Sequence, residues 1–271
     1  MTVLDLSSYD LDTLNASCMK SAGVTGVILG VYSPTNAPNR MAQAAGKLRA
    51  VGIDILGFYG LIYFGSPWGE VRDTTWAIAL AKEFGVDRVW LDCETDGNAN
   101  GFTDAVAPTT AERRYAIQRS VALVEQAGLK AGIYSGAWWW PSNTGNTTEF
   151  ARLPLWHAAY PTDGREIRTV SYGGWTDVAI HQYTSSLNVC GRNRDANYVF
   201  MEEELPDPRI DKVIAALGGE AAVDEWNALG NSLLKGYALE QQKLGEHLHN
   251  HAAGVTGAIP EHEHLSGKVK R

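Results

Sequence analysis

The sequence predicts an α/β protein: an irregular (β/α) TIM-like barrel of about eight strands, followed by C-terminal helices. Three observations carry that expectation. Short apolar runs rich in β-branched residues alternate with longer segments of helical character, an order that implies parallel strands joined by crossover helices. No GxGxxG follows the first strand and no GxxxxGKS/T occurs, so a doubly wound nucleotide-binding sheet loses its usual support and a closed barrel gains. A length of 271 residues, 45% of them hydrophobic, suffices for one large core and excludes disordered and collagen-like classes.

In chain order, strands are expected at Val3–Leu6, Val24–Tyr32, Ile53–Tyr63, Arg88–Glu94, Lys130–Ser135, Leu153–Tyr160 and Val178–Thr184, with a weaker one near Asn197–Phe200. Helices fit the intervals 40–50, 69–84 and 109–127, the last opening on Thr109, Thr110 and Glu112 as a capped start. After Tyr134 the intervals shorten and carry Gly, Asn and Thr, as in PSNTGNTTEF, so loops are expected there in place of full helices. Past Pro206 the texture changes. Ile210, Val213, Ile214 and Leu217 follow helical spacing, and after a Gly-Gly break Val223, Trp226, Leu229, Leu233 and Tyr237 continue a second amphipathic stretch. The expected organisation is a barrel over 1–206, a helical extension over 207–250 and a polar tail over 251–271.

Lys and Arg number 23 against 31 Asp and Glu, a net charge of −8 with no basic cluster, which excludes a nucleic-acid surface. No basic region followed by an apolar stretch opens the chain and no apolar run reaches bilayer length, so neither a signal peptide nor membrane insertion is expected. Cys18, Cys93 and Cys190 form an odd set without a CxxC pair and are expected to be reduced, inert thiols. Five of the seven histidines fall near the C-terminus, at 247, 249, 251, 262 and 264, and read as a solvated segment. With no HExxH and no Asp-rich loop of cation-site spacing, neither a metal nor a cofactor is expected.

The most informative segment is Arg88-Val-Trp-Leu-Asp92-Cys93-Glu94, an apolar strand ending in two carboxylates one residue apart. Strand side chains alternate, so Asp92 and Glu94 share a face, their α-carbons about 6.5 Å apart, and Cys93 points the other way. Burial and like-charge repulsion at such a place are relieved when one acid keeps its proton, and a protonated acid beside an ionised one is what glycoside cleavage requires. An isolated DxE can equally cap a loop or hold an Arg. Two further acids at comparable strand ends, Asp5 in LDLSSY and Asp195 in GRNRDAN, favour four carboxylates converging on one mouth. Aromatics crowd the same ends: Tyr9, Tyr59, Tyr63, Tyr134, the run Trp138-Trp139-Trp140, Trp156, Tyr160 and Tyr183. Aromatic planes pack on the C–H faces of sugars, so walls of this kind beside acids suit a saccharide cleft, with at least one of the three tryptophans expected to line it.

The motifs DLSSY, GFYGLIYF, LDCE, GIYSG, PLWHAAY and HQYTSS followed by GRNRDAN, in that order over about residues 3–200, resemble family-25 glycoside hydrolases, the lysozyme-type muramidases common among phage endolysins. The resemblance implies an irregular β/α barrel that cleaves the β-1,4 bond between N-acetylmuramic acid and N-acetylglucosamine in peptidoglycan glycan strands, with retention assisted by the substrate's acetamido group. It places the general acid on Glu94, the partner acid on Asp92 and two further cleft aspartates on Asp5 and Asp195. Tyr9, Tyr59, Tyr134, Trp138, Trp156, Tyr160 and Gln182 are the expected substrate-binding residues. The chain departs from the family pattern after the second strand, where Leu29-Gly30-Val31-Tyr32-Ser33-Pro34 replaces a Lys and an acidic loop, and at Gly60, where a His usually follows the Tyr. A chitinase-type reading of the DxE is disfavoured because Trp90 fills the position of that family's extra aspartate. The expected setting is a host cytoplasm before release, as for an endolysin, or a virion, with the bacterial cell wall as the place of action. A rival reading is a glycan-binding component of a phage tail or baseplate with little catalysis, motivated by the amphipathic stretch 209–245 as a surface for a protein partner or self-association.

Overall fold

Eight strands close into one barrel in chain order: β1 (Thr2–Leu6), β2 (Val24–Gly30), β3 (Asp54–Leu61), β4 (Arg88–Asp92), β5 (Lys130–Ser135), β6 (Leu155–Ala158), β7 (Ile180–Val189) and β8 (Arg192–Val199). The structure, a computed structural model, describes residues 2–31, 37–64, 69–94 and 108–201. The expected extension over 207–250 and the tail over 251–271 lie outside the described residues.

A short 3-10 turn at Ser8–Thr13 and a helix that was not expected, α1 (Ala16–Ser21), follow β1, while α2 (Ala37–Ala50), α3 (Gly69–Glu83) and α4 (Thr110–Gln126) follow the expected intervals. The start of α4 is fixed by a capping box. Thr109 Oγ1 accepts from the Glu112 amide at 3.2 Å while Glu112 Oε2 accepts from the Thr109 amide at 2.6 Å, satisfying two donors that the first turn leaves open. Beyond β5 the only helix among the described residues is α5 (Trp140–Thr144), within the Gly- and Asn-containing segment, and β6 joins β7 through a connection without one, in which Gly164, Gly173 and Gly174 take positive φ.

Strands β1 to β7 run parallel, as expected. The last strand does not. β8 is antiparallel to both β7 and β1, because the turn Cys190-Gly191 is a tight two-residue hairpin whose central residues both take positive φ, 54° and 74°. This hairpin also carries β7 out to Val189, five residues past the expected end at Thr184.

Two apolar layers result. Outward-facing residues such as Leu4, Val27, Phe58, Leu91 and Ile133 pack under the helices. Inside the barrel a second cluster is built from Ile28, Tyr59, Trp90, Tyr134, Trp156 and Ile180. Gly30 makes room for it, since a Cβ at that position would lie 2.1 Å from the Tyr59 ring. Trp139 and Trp140 join the outer core, Trp140 fully buried with its Nε1 donating to the Thr147 carbonyl at 3.2 Å. No helix among the described residues is long and apolar enough to cross a membrane.

One expectation is overturned. Cys18 on α1 and Cys190 in the β7–β8 turn form a disulfide, their Cα atoms 6.1 Å apart across 172 residues of sequence, and only Cys93 stays a buried free thiol. Barrel closure is the reason: pairing of β8 with β1 carries the hairpin tip to the helix that follows β1, a proximity that spacing along the chain does not reveal. A cross-link over so long a loop removes entropy from the unfolded chain, about 5 kcal/mol in the loop-entropy picture. Cys18→Ser is therefore expected to lower the free energy of unfolding by up to that amount, and reductant to lower the melting temperature of the wild type but not of the variant, as read by urea and thermal melts.

Candidate active site

The register of the sheet assembles the four acids. Asp5 on β1 pairs directly with Asp195 on β8, and Asp92 at the end of β4 pairs with Tyr134 on β5, which in turn pairs with Trp156 on β6. Side chains alternate along each strand, so these residues share the inner face at the end of the barrel where the parallel strands terminate. There Asp5, Asp92, Glu94 and Asp195 line one cleft together with Ser7, Tyr59, Tyr134, Trp156 and Gln182.

The acids differ in depth. Asp5 and Asp92 are buried, whereas Glu94 and Asp195 are half-exposed at the opening. Burial, first, pushes all four carboxyls above their ordinary values; Glu94 adds to this at Asp92, Asp195 adds to it at both Asp5 and Glu94, and Asp10 adds to it at Asp195. Asp5 is relieved by amide donors. Gln182 Nε2 reaches its two oxygens at 3.1 and 2.9 Å, and Asn197 Nδ2 donates to Oδ1 at 2.8 Å. Asn197 is itself oriented by Trp156, whose Nε1 donates to its Oδ1 at 2.8 Å. Trp156 is thus both plate and anchor, with Tyr59, Trp90 and Tyr134 edge-on to it at centroid distances of 5.7, 5.7 and 4.8 Å. On the other face of β8, buried Arg194 grips Asp10 and Thr13, holding the turn that follows Ser7; Ser7 caps that turn and takes the Asp10 carboxylate on its amide at 2.8 Å.

Of the expected substrate-binding residues, Tyr59, Tyr134, Trp156 and Gln182 line the cleft. Tyr160 stands at its edge, 53% exposed, with its hydroxyl on Gln182 Oε1 at 2.7 Å. Tyr9 and Trp138 are outside the residues that line it, open to solvent at 75% and 60%. The expectation that one of the three tryptophans lines the cleft is therefore not met, because Trp139 and Trp140 are drawn into the outer core by α5. Ser7 and Asn197 lie within DLSSY and GRNRDAN, where their neighbouring acids are the more visible signal. Asp73 carried no signal at all, being one acid inside a helix. No group of three His, Cys, Asp or Glu suited to a metal ion occurs among the described residues.

The sequence profile described as "Glycosyl hydrolases family 25" matches residues 4–192 of this chain. The chain belongs to glycosyl hydrolase family 25. Among curated relatives it is 28% identical over 111 residues to "Probable GH family 25 lysozyme 3" of Dictyostelium discoideum, a match covering 41% of this chain and only 22% of that protein. It is 25% identical over 202 residues to "Lysozyme-like protein 5" of Caenorhabditis elegans, covering 72% and 90% of the two chains. In fold it is similar to the muramidase from Trichobolus zukalii, with a TM-score of 0.57 at 18% identity over 75% of this chain and 95% of that one.

Behind the cleft, α3 packs closely on β3. A Cβ at Gly60 would lie 2.6 Å from the Asp73 backbone, so the early part of α3 sits directly on β3 and leaves no room for the family's usual histidine. That contact delivers Asp73, a fully buried carboxyl, to the back of the site. Its Oδ1 accepts from Arg72 Nε at 2.8 Å, while Oδ2 has no hydrogen-bond partner among the described residues. Burial raises Asp73 to about 7 against the opposing pull of Arg72 and of the Tyr63 hydroxyl, and its charge contributes to raising Asp92. Because the folded value exceeds the unfolded 3.8, folding takes up a proton here, so stability from this group declines as pH rises from about 4 to about 7. Asp73→Asn should match the wild type in melting temperature at pH 4 and exceed it at pH 8; equal melting temperatures at both would show the carboxyl to be unperturbed.

Proposed function

We propose that this chain is a peptidoglycan hydrolase of the N-acetylmuramidase type, cutting the β-1,4 bond between N-acetylmuramic acid and N-acetylglucosamine. The observation that carries the reading is the gathering of four carboxyls in one cleft, with Glu94, raised by burial, on its half-exposed side beside the buried Asp92 and Asp5. A carboxyl raised by burial that still faces the opening is placed to give its proton to a substrate oxygen.

In this mechanism Glu94 gives its proton to the glycosidic oxygen as the C–O bond breaks, and positive charge develops at the anomeric carbon and ring oxygen. Asp92 and Asp195, as carboxylates, stabilise that charge and orient the substrate's acetamido oxygen, which attacks the same carbon to form a cyclic intermediate. Water then opens the intermediate, giving its proton back to Glu94, so that configuration is retained. Tyr59 and the edge of Trp156 form the apolar floor against which the sugar ring packs, and exposed Tyr160 borders the opening.

The setting we infer is the bacterial wall, with the endolysin or virion context of the sequence resemblance. The Cys18–Cys190 bond supports residence outside a reducing cytoplasm over storage within one. Incubation with purified peptidoglycan followed by mass spectrometry tests the cut: N-acetylmuramic acid at the new reducing ends is expected, and N-acetylglucosamine there, or strands bound but uncut, would overturn the reading. Glu94→Gln should reduce the rate by about 10²–10⁴-fold, the usual contribution of a general acid, with melting temperature and glycan binding retained.

A further inference from the structure

Strands β7 and β8 outrun the barrel that they close. Pairing with β6 ends at Gln182 and pairing with β1 ends at Asp195, both of them cleft residues. Beyond those points β7 runs on to Val189, turns at Cys190-Gly191 and returns from Arg192, as a two-stranded arm paired with itself alone. Register sorts its side chains into two faces. Leu187 sits opposite Arg194 and Val189 opposite Arg192, so these four share one face with Ala196, while Asn188 sits opposite Asn193 and both share the face of Asp195 and Asn197. The first face is the packed one. Val189 and Ala196 belong to the outer core with Leu187 against it, Arg194 holds Asp10 and donates to Thr13 Oγ1 at 2.9 Å, and the tip is bonded to α1 through Cys18. The arm therefore rests on the turn and helix that follow β1, with its second face turned away from them.

That second face continues the inner wall of the barrel outward. Asn193 lies two residues beyond Asp195, about 6.6 Å along the strand and so roughly one sugar ring further out, with Asn188 beside it. Both amides are exposed, and neither has a hydrogen-bond partner among the described residues. A primary amide offers two donors and an acceptor, which complements the hydroxyl and acetamido groups of a sugar. Charge narrows the occupant. This face carries Asp195 and no cation, Arg192 and Arg194 being on the reverse side, so it disfavours a stem peptide bearing carboxylates and accepts a neutral sugar. We propose that Asn188 and Asn193 form a further sugar-binding subsite, a shelf on which the glycan strand continues past Asp195 and away from the scissile bond. This rests on the muramidase reading and names the part of the substrate that the arm receives.

Binding is measured by titration calorimetry on Glu94→Gln, which leaves strands uncut, using glycan strands stripped of peptide by an amidase and sized to tetrasaccharide and octasaccharide, with peptide-bearing octasaccharide alongside. The octasaccharide should bind more tightly than the tetrasaccharide. Adding Asn188→Ala and Asn193→Ala together should shrink that preference about tenfold, the worth of one or two net hydrogen bonds. Asn193→Asp, which keeps the shape and exchanges a donor for a charge, should shrink it several-fold and serves if the double variant does not fold. Arg192→Ala, on the reverse face of the same arm, should leave the preference intact. An octasaccharide bound no more tightly than the tetrasaccharide, a preference unmoved in the double variant, or an equal loss for both lengths overturns the proposal. So does a loss confined to peptide-bearing strands or to Arg192→Ala, either of which would assign the arm to the stem peptide. The isotherms need no turnover, so a failure of the muramidase reading shows separately, as a wild type that binds strands without cutting them.

Discussion

Asp195 meets Asp5 only because β8 runs against both of its neighbours. A parallel eighth strand would have to carry its acid at the very end, as β4 does, and would need a long crossover to get there. The two-residue turn at Cys190-Gly191 instead sends the chain straight back down the barrel, bringing Asp195 level with Asp5 and Asn197 one layer deeper on the same face. One strand thus supplies a charge to the cleft, a donor beneath it and, on its reverse face, the Arg194 that fastens the turn after β1. The other acids are arranged around that closure.

Gathering carboxyls where water is scarce is unfavourable, and the protein offsets this with amides and ring N–H groups in place of cations. Among the described residues no lysine or arginine lines the cleft. The positive charges near it, Arg72 and Arg194, are turned to Asp73 and Asp10. Cations among the four acids would pull every carboxyl down; the neutral donors Gln182 and Asn197 offset part of the cost of burying Asp5 and leave all four carboxyls above their ordinary range.

Much of this was legible in the chain. Short apolar runs rich in β-branched residues located the strands, with β5 matching its expected limits, and LDCE pointed to two acids at the end of β4, which stops at Asp92, two residues before the expected Glu94. What escaped detection was set by tertiary proximity. The direction of β8 depended on a turn whose glycine looked like one of many, and the Cys18–Cys190 pair is invisible until β8 meets β1. Asp73 lies in a helix whose polar residues give no hint that one of them faces inward; only the bare backbone at Gly60, where α3 comes down onto β3, accounts for it. Tryptophans 139 and 140 read as cleft residues by type, yet α5 turns them into the outer core, where Trp140 stacks edge-on with Trp175 at 4.8 Å.

The Cys18–Cys190 link has a topological effect that the hydrogen bonds do not. It joins a residue early in the chain to one near the end of the barrel, so β2 through β7, with Asp92 and Glu94 among them, sit inside a single covalent loop. A protease that cuts once anywhere within that loop releases no fragment: both pieces stay tethered and the barrel can remain assembled around the break. Tolerance to a single nick keeps the four acids within one covalently joined barrel.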